Sequence, residues 1–187
     1  RFPENERILR YYMQRMRKSR QSYPYLFSIC MIVRNEEKNL ERCLKSLNPL
    51  ITSGMAELIV VDTGSQDRTM EIAAKFTDKL YSFPWNGSFS KARNASILHA
   101  DGEYIMIMDA DEEISPSELE KLKDVFSSRN YQQNLTYVIR LKSYTDASLT
   151  RYTTMAQPRI FRNNGEFYYS SSVHNQPVCS PPIKALD

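Results

Sequence analysis

The stretch Glu103-Tyr-Ile-Met-Ile-Met-Asp109-Ala-Asp111-Glu-Glu113 is an unbroken apolar run that ends in four carboxylates. Five apolar residues between an Asp101-Gly102 turn and a set of acids are too few for an ordinary helix. They suit a central strand buried on both faces of a parallel sheet. In open α/β sheets the ligand crevice lies just beyond the carboxyl ends of such strands, which puts Asp109 and Asp111 at a crevice. Two carboxylates one residue apart repel unless a cation lies between them, and hard oxygen ligands suit Mg²⁺ or Mn²⁺, commonly shared with substrate phosphates. An Asp-x-Asp triplet alone arises often by chance. The buried strand in front of this one is what makes it read as a metal-diphosphate site.

Outward from this strand, the chain keeps alternating strand and helix. Tyr25 to Val33 is a strand that switches at Arg34-Asn35-Glu36-Glu37 to a helix marked by Leu40, Leu44 and Leu47, with Asn48-Pro49 as its expected stop. Leu58 to Val61 is a second buried strand. It ends in Asp62-Thr63-Gly64-Ser65 and leads to a helix with Thr69, Ile72, Ala73 and Phe76 inward. Leu80 to Phe83 is a third strand, and after Pro84-Trp85-Asn86-Gly87-Ser88-Phe89 a helix is expected to be capped by Ser90. Such alternation implies right-handed crossovers, a mostly parallel α/β sheet, and one rim carrying Arg34, Glu36, Asp62, Asp109 and Asp111. Beyond the acids, Ser115-Pro116-Ser117-Glu118 has the form of a capping box and opens a helix with Leu119, Leu122, Val125 and Phe126 inward. The texture then changes to antiparallel strands: Leu135 to Leu141, Tyr152 to Met155, Arg159 to Arg162, a turn at Asn163-Asn164-Gly165, and Phe167 to Tyr169.

The 187 residues fit one domain over residues 25–187, preceded by a helix and linker over residues 1–24. In that first segment Ile8, Leu9, Tyr12, Met13 and Met16 form one stripe, largely surrounded by Arg7, Arg10, Arg15, Arg17, Lys18 and Arg20. A basic amphipathic helix can lie on a membrane. Packing within the protein is the expected use here, and the chain is expected to be a piece of a longer one. With 25 Lys+Arg against 22 Asp+Glu the net charge is +3, too balanced to make nucleic acid the main partner. Cys30, Cys43 and Cys179 are odd in number and form no C-x-x-C motif, so free thiols and a reducing, cytoplasmic setting are expected. The Asn-x-Ser/Thr triplets at Asn86, Asn94 and Asn134 are then chance.

Lys91 and Arg93 fall in the first turn of their expected helix, where cations oppose the macrodipole unless an anion compensates. A diphosphate held by amide N–H groups and a guanidinium fork would compensate, though surface cations need none. Asp62 could accept from a base or ribose, or cap the helix that follows. His99 suits a helix C-terminus without any further role, and His174 could contact a metal or phosphate or serve a structural hydrogen bond.

Four motifs occur together and in order: Ser28-Ile-Cys-Met-Ile-Val-Arg-Asn-Glu-Glu37, Ile59-Val-Val-Asp-Thr-Gly-Ser-Gln-Asp-Arg-Thr69, Phe89-Ser-Lys-Ala-Arg-Asn94 and Asp109-Ala-Asp-Glu-Glu113. The combination resembles the inverting glycosyltransferases of family 2, which have the GT-A fold. Within them it resembles the branch of the sublancin S-glycosyltransferase, on Trp85, the Ala-Arg-Asn motif and Arg159-Ile-Phe-Arg-Asn ahead of Val173-His174. The resemblance spans residues 27 to about 178. It implies that Ile32, Arg34, Glu36 and Asp62 hold a nucleotide, and that Asp109 and Asp111 hold the ribose and the Mg²⁺ or Mn²⁺ on a diphosphate. The implied activity is metal-dependent transfer from a nucleotide-sugar, UDP-sugar first, to a hydroxyl or thiol of a peptide or glycan. Asp111 and Arg93 then balance charge on the leaving group, and His174 is a possible further metal contact.

Two positions depart from the pattern. Arg34 stands where the family often has Tyr, and Asn175 stands where relatives of the sublancin branch have Glu. An amide cannot serve as a general base at neutral pH, which leaves Glu112, Glu113 and Asp146 as candidates with the assignment open. A non-catalytic nucleotide-sugar-binding or interaction module is the alternative. Sugar nucleotidyl transfer would need a glycine-rich loop after the first strand, and Arg34-Asn35-Glu36-Glu37 has no glycine.

Overall fold

The computed structural model describes residues 23–127, 135–144, 146, 150–171, 176–179 and 183–186. The expected basic helix of residues 1–20, Asn134, His174 and Asn175 lie outside them. Along the strand β1 (Tyr25–Val33), Phe27, Ile29, Met31 and Val33 point to one apolar layer, and Cys30 points to another. The same two-sided burial holds in β2 (Ala56–Asp62) and β4 (Gly102–Ile107), which explains why these strands are mostly apolar; the buried exceptions Ser28 and Glu57 bond to each other. The sheet runs in the order β10 (Ile183–Ala185), β6 (Thr136–Tyr144), β7 (Tyr152–Arg162), β4, β1, β2, β3 (Leu80–Ser82), with β5 (Glu112–Ile114) paired to β6. Pairs β1–β2, β1–β4 and β2–β3 are parallel, whereas β4–β7, β6–β7 and β5–β6 are antiparallel.

One face of the sheet is covered by α1 (Leu40–Thr52), α2 (Thr69–Ala73) and α4 (Pro116–Ser127). The other carries α3 (Phe89–Ile97) together with Phe161, Phe167 and Tyr169. This is a three-layer α/β/α arrangement with a buried central β4, as expected. Ser115 accepts from the Glu118 amide at 3.2 Å and caps α4. Glu118 itself turns away from a capping box to accept the Arg140 amide of β6 at 2.8 Å.

Four local expectations need correction. Helix α1 does not stop at Pro49 but runs to Thr52, because Leu50 continues the Leu40–Leu44–Leu47 stripe and is fully buried while Pro49 faces solvent. Helix α3 starts two residues earlier than expected: Ser88, not Ser90, is the cap, and its hydroxyl accepts from the Lys91 amide. Strand β7 is continuous from Tyr152 to Arg162 instead of broken before Arg159. After Asn163-Asn164-Gly165 the chain does not fold back on β7; β8 (Tyr168–Ser170) pairs with β9 (Gln176–Val178) in a separate two-stranded sheet. Asn94 anchors that small sheet to α3, donating to the Tyr169 carbonyl at 3.0 Å and accepting its amide at 2.8 Å.

Candidate active site

The ends of β1, β2 and β4 and the start of α3 surround a cleft of about 540 Å³ lined by Ile32, Val33, Arg34, Glu36, Thr63, Trp85, Phe89, Arg93, Asp109, Ala110 and Asp111. Its position outside the carboxyl edge of the parallel strands is the one that open α/β sheets offer to ligands. Six of the sequence-expected residues, Ile32, Arg34, Glu36, Arg93, Asp109 and Asp111, meet there.

The loops after β1 and β2 are interlocked, which fixes this rim of the cleft. Asn35, with φ 54°, accepts the Gln66 amide at 2.7 Å and gives its own amide to Ser65. The Glu36 amide donates to Thr69 Oγ1 at 2.7 Å, and the Glu37 amide to Asp67 at 3.1 Å. Burial is the main cause that raises the Glu36 carboxyl above its usual range, with Asp111, Asp67 and Asp109 adding to it. Asp62 stands at the end of β2 and accepts the Gly64 and Ser65 amides, so it shapes the loop, while the next residue, Thr63, lines the cleft. Lys91 is exposed and is not part of the lining, because the earlier start of α3 puts it outside.

At the other end of the cleft the acids are unequal. Asp109 accepts from Arg93 Nη2 at 2.6 Å through one oxygen and from Arg159 Nη1 at 3.2 Å through the other. Burial opposes its charge, but the two guanidinium groups outweigh burial and hold the carboxyl below its ordinary value. Asp111 is exposed, and among the described residues its carboxylate takes no hydrogen bond or ion pair. Next to Asp111, Glu112 is buried, bonded to Arg159 Nη2, and accepts the Asp109 amide at 3.0 Å. Burial above all pushes its carboxyl up to about 7 against the pull of Arg159. Helix α1 braces the turn from behind: Arg42 Nη2 donates to the Asp111 carbonyl at 3.3 Å, and Ser46 accepts the Ile114 amide.

Arg159, Trp85, Phe89 and Thr63 are among the residues that reading the sequence did not assign to the site. Arg159 looked like one cation of an ordinary strand, yet it is only 7% exposed. The signal was its place after Pro158 and before Ile160-Phe161, where a cation entering a core segment needs acidic partners. Trp85 and Phe89 meet edge to face at 4.7 Å between centroids on the cleft wall, 37% and 47% exposed. Of the possible bases, Glu113 is engaged by Tyr144 and Arg42, and Asp146 holds the Thr150 and Arg151 amides.

No three His, Cys, Asp or Glu side chains among the described residues form a cluster able to hold a metal ion. An exposed carboxylate at a cleft does fit a Mg²⁺ or Mn²⁺ ion that arrives with phosphates, since such ions use one or two carboxylates plus substrate oxygens and do not need a closed protein cage. Arg93, which lines the same cleft, has Nε and Nη1 buried and without an acceptor among the described residues.

A cleft of this kind belongs to an open α/β fold, and comparison with known proteins makes the class specific. Residues 28–183 match Glycosyl transferase family 2, and the chain belongs to that family. It is 37% identical to a TPR repeat-containing protein of Synechococcus elongatus over 147 residues, covering 79% of this chain and 34% of that protein. It is 31% identical to the glycosyltransferase SunS of Bacillus subtilis over 154 residues, again covering 79% and 34%. The crystal structure of residues 1–349 of S. aureus TarS superposes with a TM-score of 0.59 over 77% of this chain and 50% of that one; at 19% identity this likeness speaks for the fold alone. The chain thus spans about a third of the length of these two relatives. None of the three cysteines is in a disulfide, and no helix among the described residues is long and apolar enough to cross a membrane.

Proposed function

We propose that this chain is the donor-binding and catalytic part of an inverting, metal-dependent glycosyltransferase that takes a nucleotide-sugar, a UDP-sugar first. The observation that carries the reading is the convergence of Arg34, Glu36, Arg93 and the exposed Asp111 on one cleft at the carboxyl edge of β1 and β4. The interlocked loops after β1 and β2 give a preformed edge for the base and ribose, with Ile32, Arg34, Glu36, Asp62 and Thr63 along it. Asp111 would hold a Mg²⁺ or Mn²⁺ ion, which when bound supplies positive charge to a leaving diphosphate. Arg93, already in place through Asp109, adds fixed positive potential on the same side at no cost of reorganisation. An acceptor hydroxyl or thiol, on a peptide or glycan, attacks the anomeric carbon from the face opposite the leaving group; the anomeric C–O bond breaks with its electron pair going to the diphosphate, and the acceptor's proton passes to a general base. The positive net charge favours no particular acceptor, and the peptide option rests on the likeness to the SunS branch.

A thermal-shift screen of UDP, GDP, dTDP and CDP, each with Mn²⁺, Mg²⁺ or EDTA, tests this on the wild type and on Asp111→Asn. Binding to the native state alone raises the melting point by linkage. A metal-dependent shift for one nucleotide that Asp111→Asn loses, with the variant otherwise folded, supports the donor site. A shift equal in EDTA and in the variant refutes the metal assignment. Metal-dependent binding without donor turnover in the full-length protein favours a non-catalytic binding module instead.

A further inference from the structure

We infer that Arg159 is a positioning residue for the metal carboxylate: it holds the Asp109–Glu112 turn so that Asp111 faces the cleft with its carboxylate unpaired among the described residues. The inference rests on the donor-site reading above and goes beyond it in giving a role to Arg159, which does not line the cleft.

Strand β7 explains how a cation reaches this place. Ile160 pairs with Tyr137 and Pro158 pairs with the next residue, Val138, so Arg159 has no cross-strand partner and sits in a bulge. Bulges re-aim a side chain at the cost of one ladder position. Here the bulge sends a guanidinium to Asp109 Oδ2 at 3.2 Å and to the Glu112 carboxylate. Glu112 in turn accepts the Asp109 amide at 3.0 Å, and its own amide donates to the Asp109 carbonyl at 3.1 Å. Asp111 lies inside this closed ring of bonds.

The charge arrangement excludes Asp109 from the same task as Asp111. Each Asp109 oxygen already faces a guanidinium, and a divalent ion beside it would have to displace one of them or sit against both. Asp111 faces no cation across the cleft by ion pair among the described residues, and its carboxylate is exposed. Partners that orient a metal ligand without touching the metal typically govern ten- to a hundred-fold in metal affinity. A fork that binds two carboxylates at once is also only partly replaced by a lysine point charge.

The experiment is an Mn²⁺ titration followed by electron paramagnetic resonance, with and without UDP, on wild type, Arg159→Lys and Arg159→Met. The double variant Arg159→Met/Glu112→Gln is included to remove the buried Glu112 charge should Arg159→Met fail to fold. The expected result is a ten- to hundred-fold rise in the Mn²⁺ dissociation constant in the UDP complex for Arg159→Met or the double variant, with an intermediate rise for Arg159→Lys. UDP affinity measured in EDTA stays within about two-fold of wild type. Folded variants whose Mn²⁺ affinity equals the wild type's overturn the assignment, including the case in which only their melting points fall. A wild type that binds no Mn²⁺ with UDP overturns the donor-site reading itself.

Discussion

Arg93 donates to Asp109 across 2.6 Å, joining the second turn of α3 to the end of β4. The pair decides what the arginine does before any ligand arrives. The helix N-terminus had suggested that Arg93 waits for an anion. Its guanidinium is instead oriented by a carboxylate, with Nε and Nη1 left without an acceptor among the described residues.

Arg93→Met should therefore cost stability as well as activity. Asp109 keeps Arg159 but loses a charge-assisted bond, and its partial exposure tempers the loss, so about 1.5–3 kcal/mol is expected. In urea unfolding, Arg93→Met/Asp109→Asn should be destabilised by less than the sum of the two single variants. Additive losses would show that the ion pair contributes nothing of its own.

The sheet order near the site was legible because β1, β2 and β4 are mostly apolar on both faces and each ends in a polar loop, as in Val33-Arg34 and Ile107-Met108-Asp109. The rim followed from that alternation alone. What escaped were cases where packing overrode a local rule. Leu50 carried α1 past a proline, and Pro158 was absorbed into a bulge instead of ending β7. Arg159 was hidden for the same reason, since its partners lie 47 and 50 residues away and leave no local pattern. The unequal state of Asp109 and Asp111 depends on those partners too, so spacing alone could not reveal it.

Gly102 is needed for close approach of β4 to β1. A Cβ there would lie 2.6 Å from the Phe27 carbonyl carbon and the Ser28 amide nitrogen, both backbone atoms that cannot rotate away. Its amide also donates to Ser28 Oγ at 2.7 Å and to the buried Glu57. Gly102→Ala should destabilise the fold by about 1–3 kcal/mol through overpacking. Calorimetric unfolding measures it, and an unchanged melting point would mean that the strands separate more easily than this contact allows.

Pro49 predicts the opposite sign. It lies inside α1 with no N–H to give and faces solvent, so nothing in the core depends on its ring. Pro49→Ala restores a helical hydrogen bond. The gain is partly offset by the freer unfolded chain, leaving about 1–2 kcal/mol of added stability. A denaturant midpoint at or below that of the wild type would count against it.

Trp85 and Phe89 offer the cleft its aromatic surface, and Phe89 lies one helical turn before Arg93 on α3. A helix repeats its face at four residues, so the ring and the guanidinium share the wall that rises from Asp109. Two paired aromatics left this exposed gain little from the core, and the fold should tolerate their loss. A planar base or the apolar face of a sugar ring would cover them, and stacking of a base on such a ring is worth on the order of 1–3 kcal/mol. Trp85→Ala should therefore weaken nucleotide-sugar binding roughly five- to a hundred-fold, with a melting point close to wild type when no ligand is present. Calorimetric titrations with the nucleoside diphosphate and with the full nucleotide-sugar separate the contributions. Equal loss for both puts the rings against the nucleotide, and loss for the nucleotide-sugar alone puts them against the hexose. Unchanged affinity for both would remove the aromatic wall from the donor site.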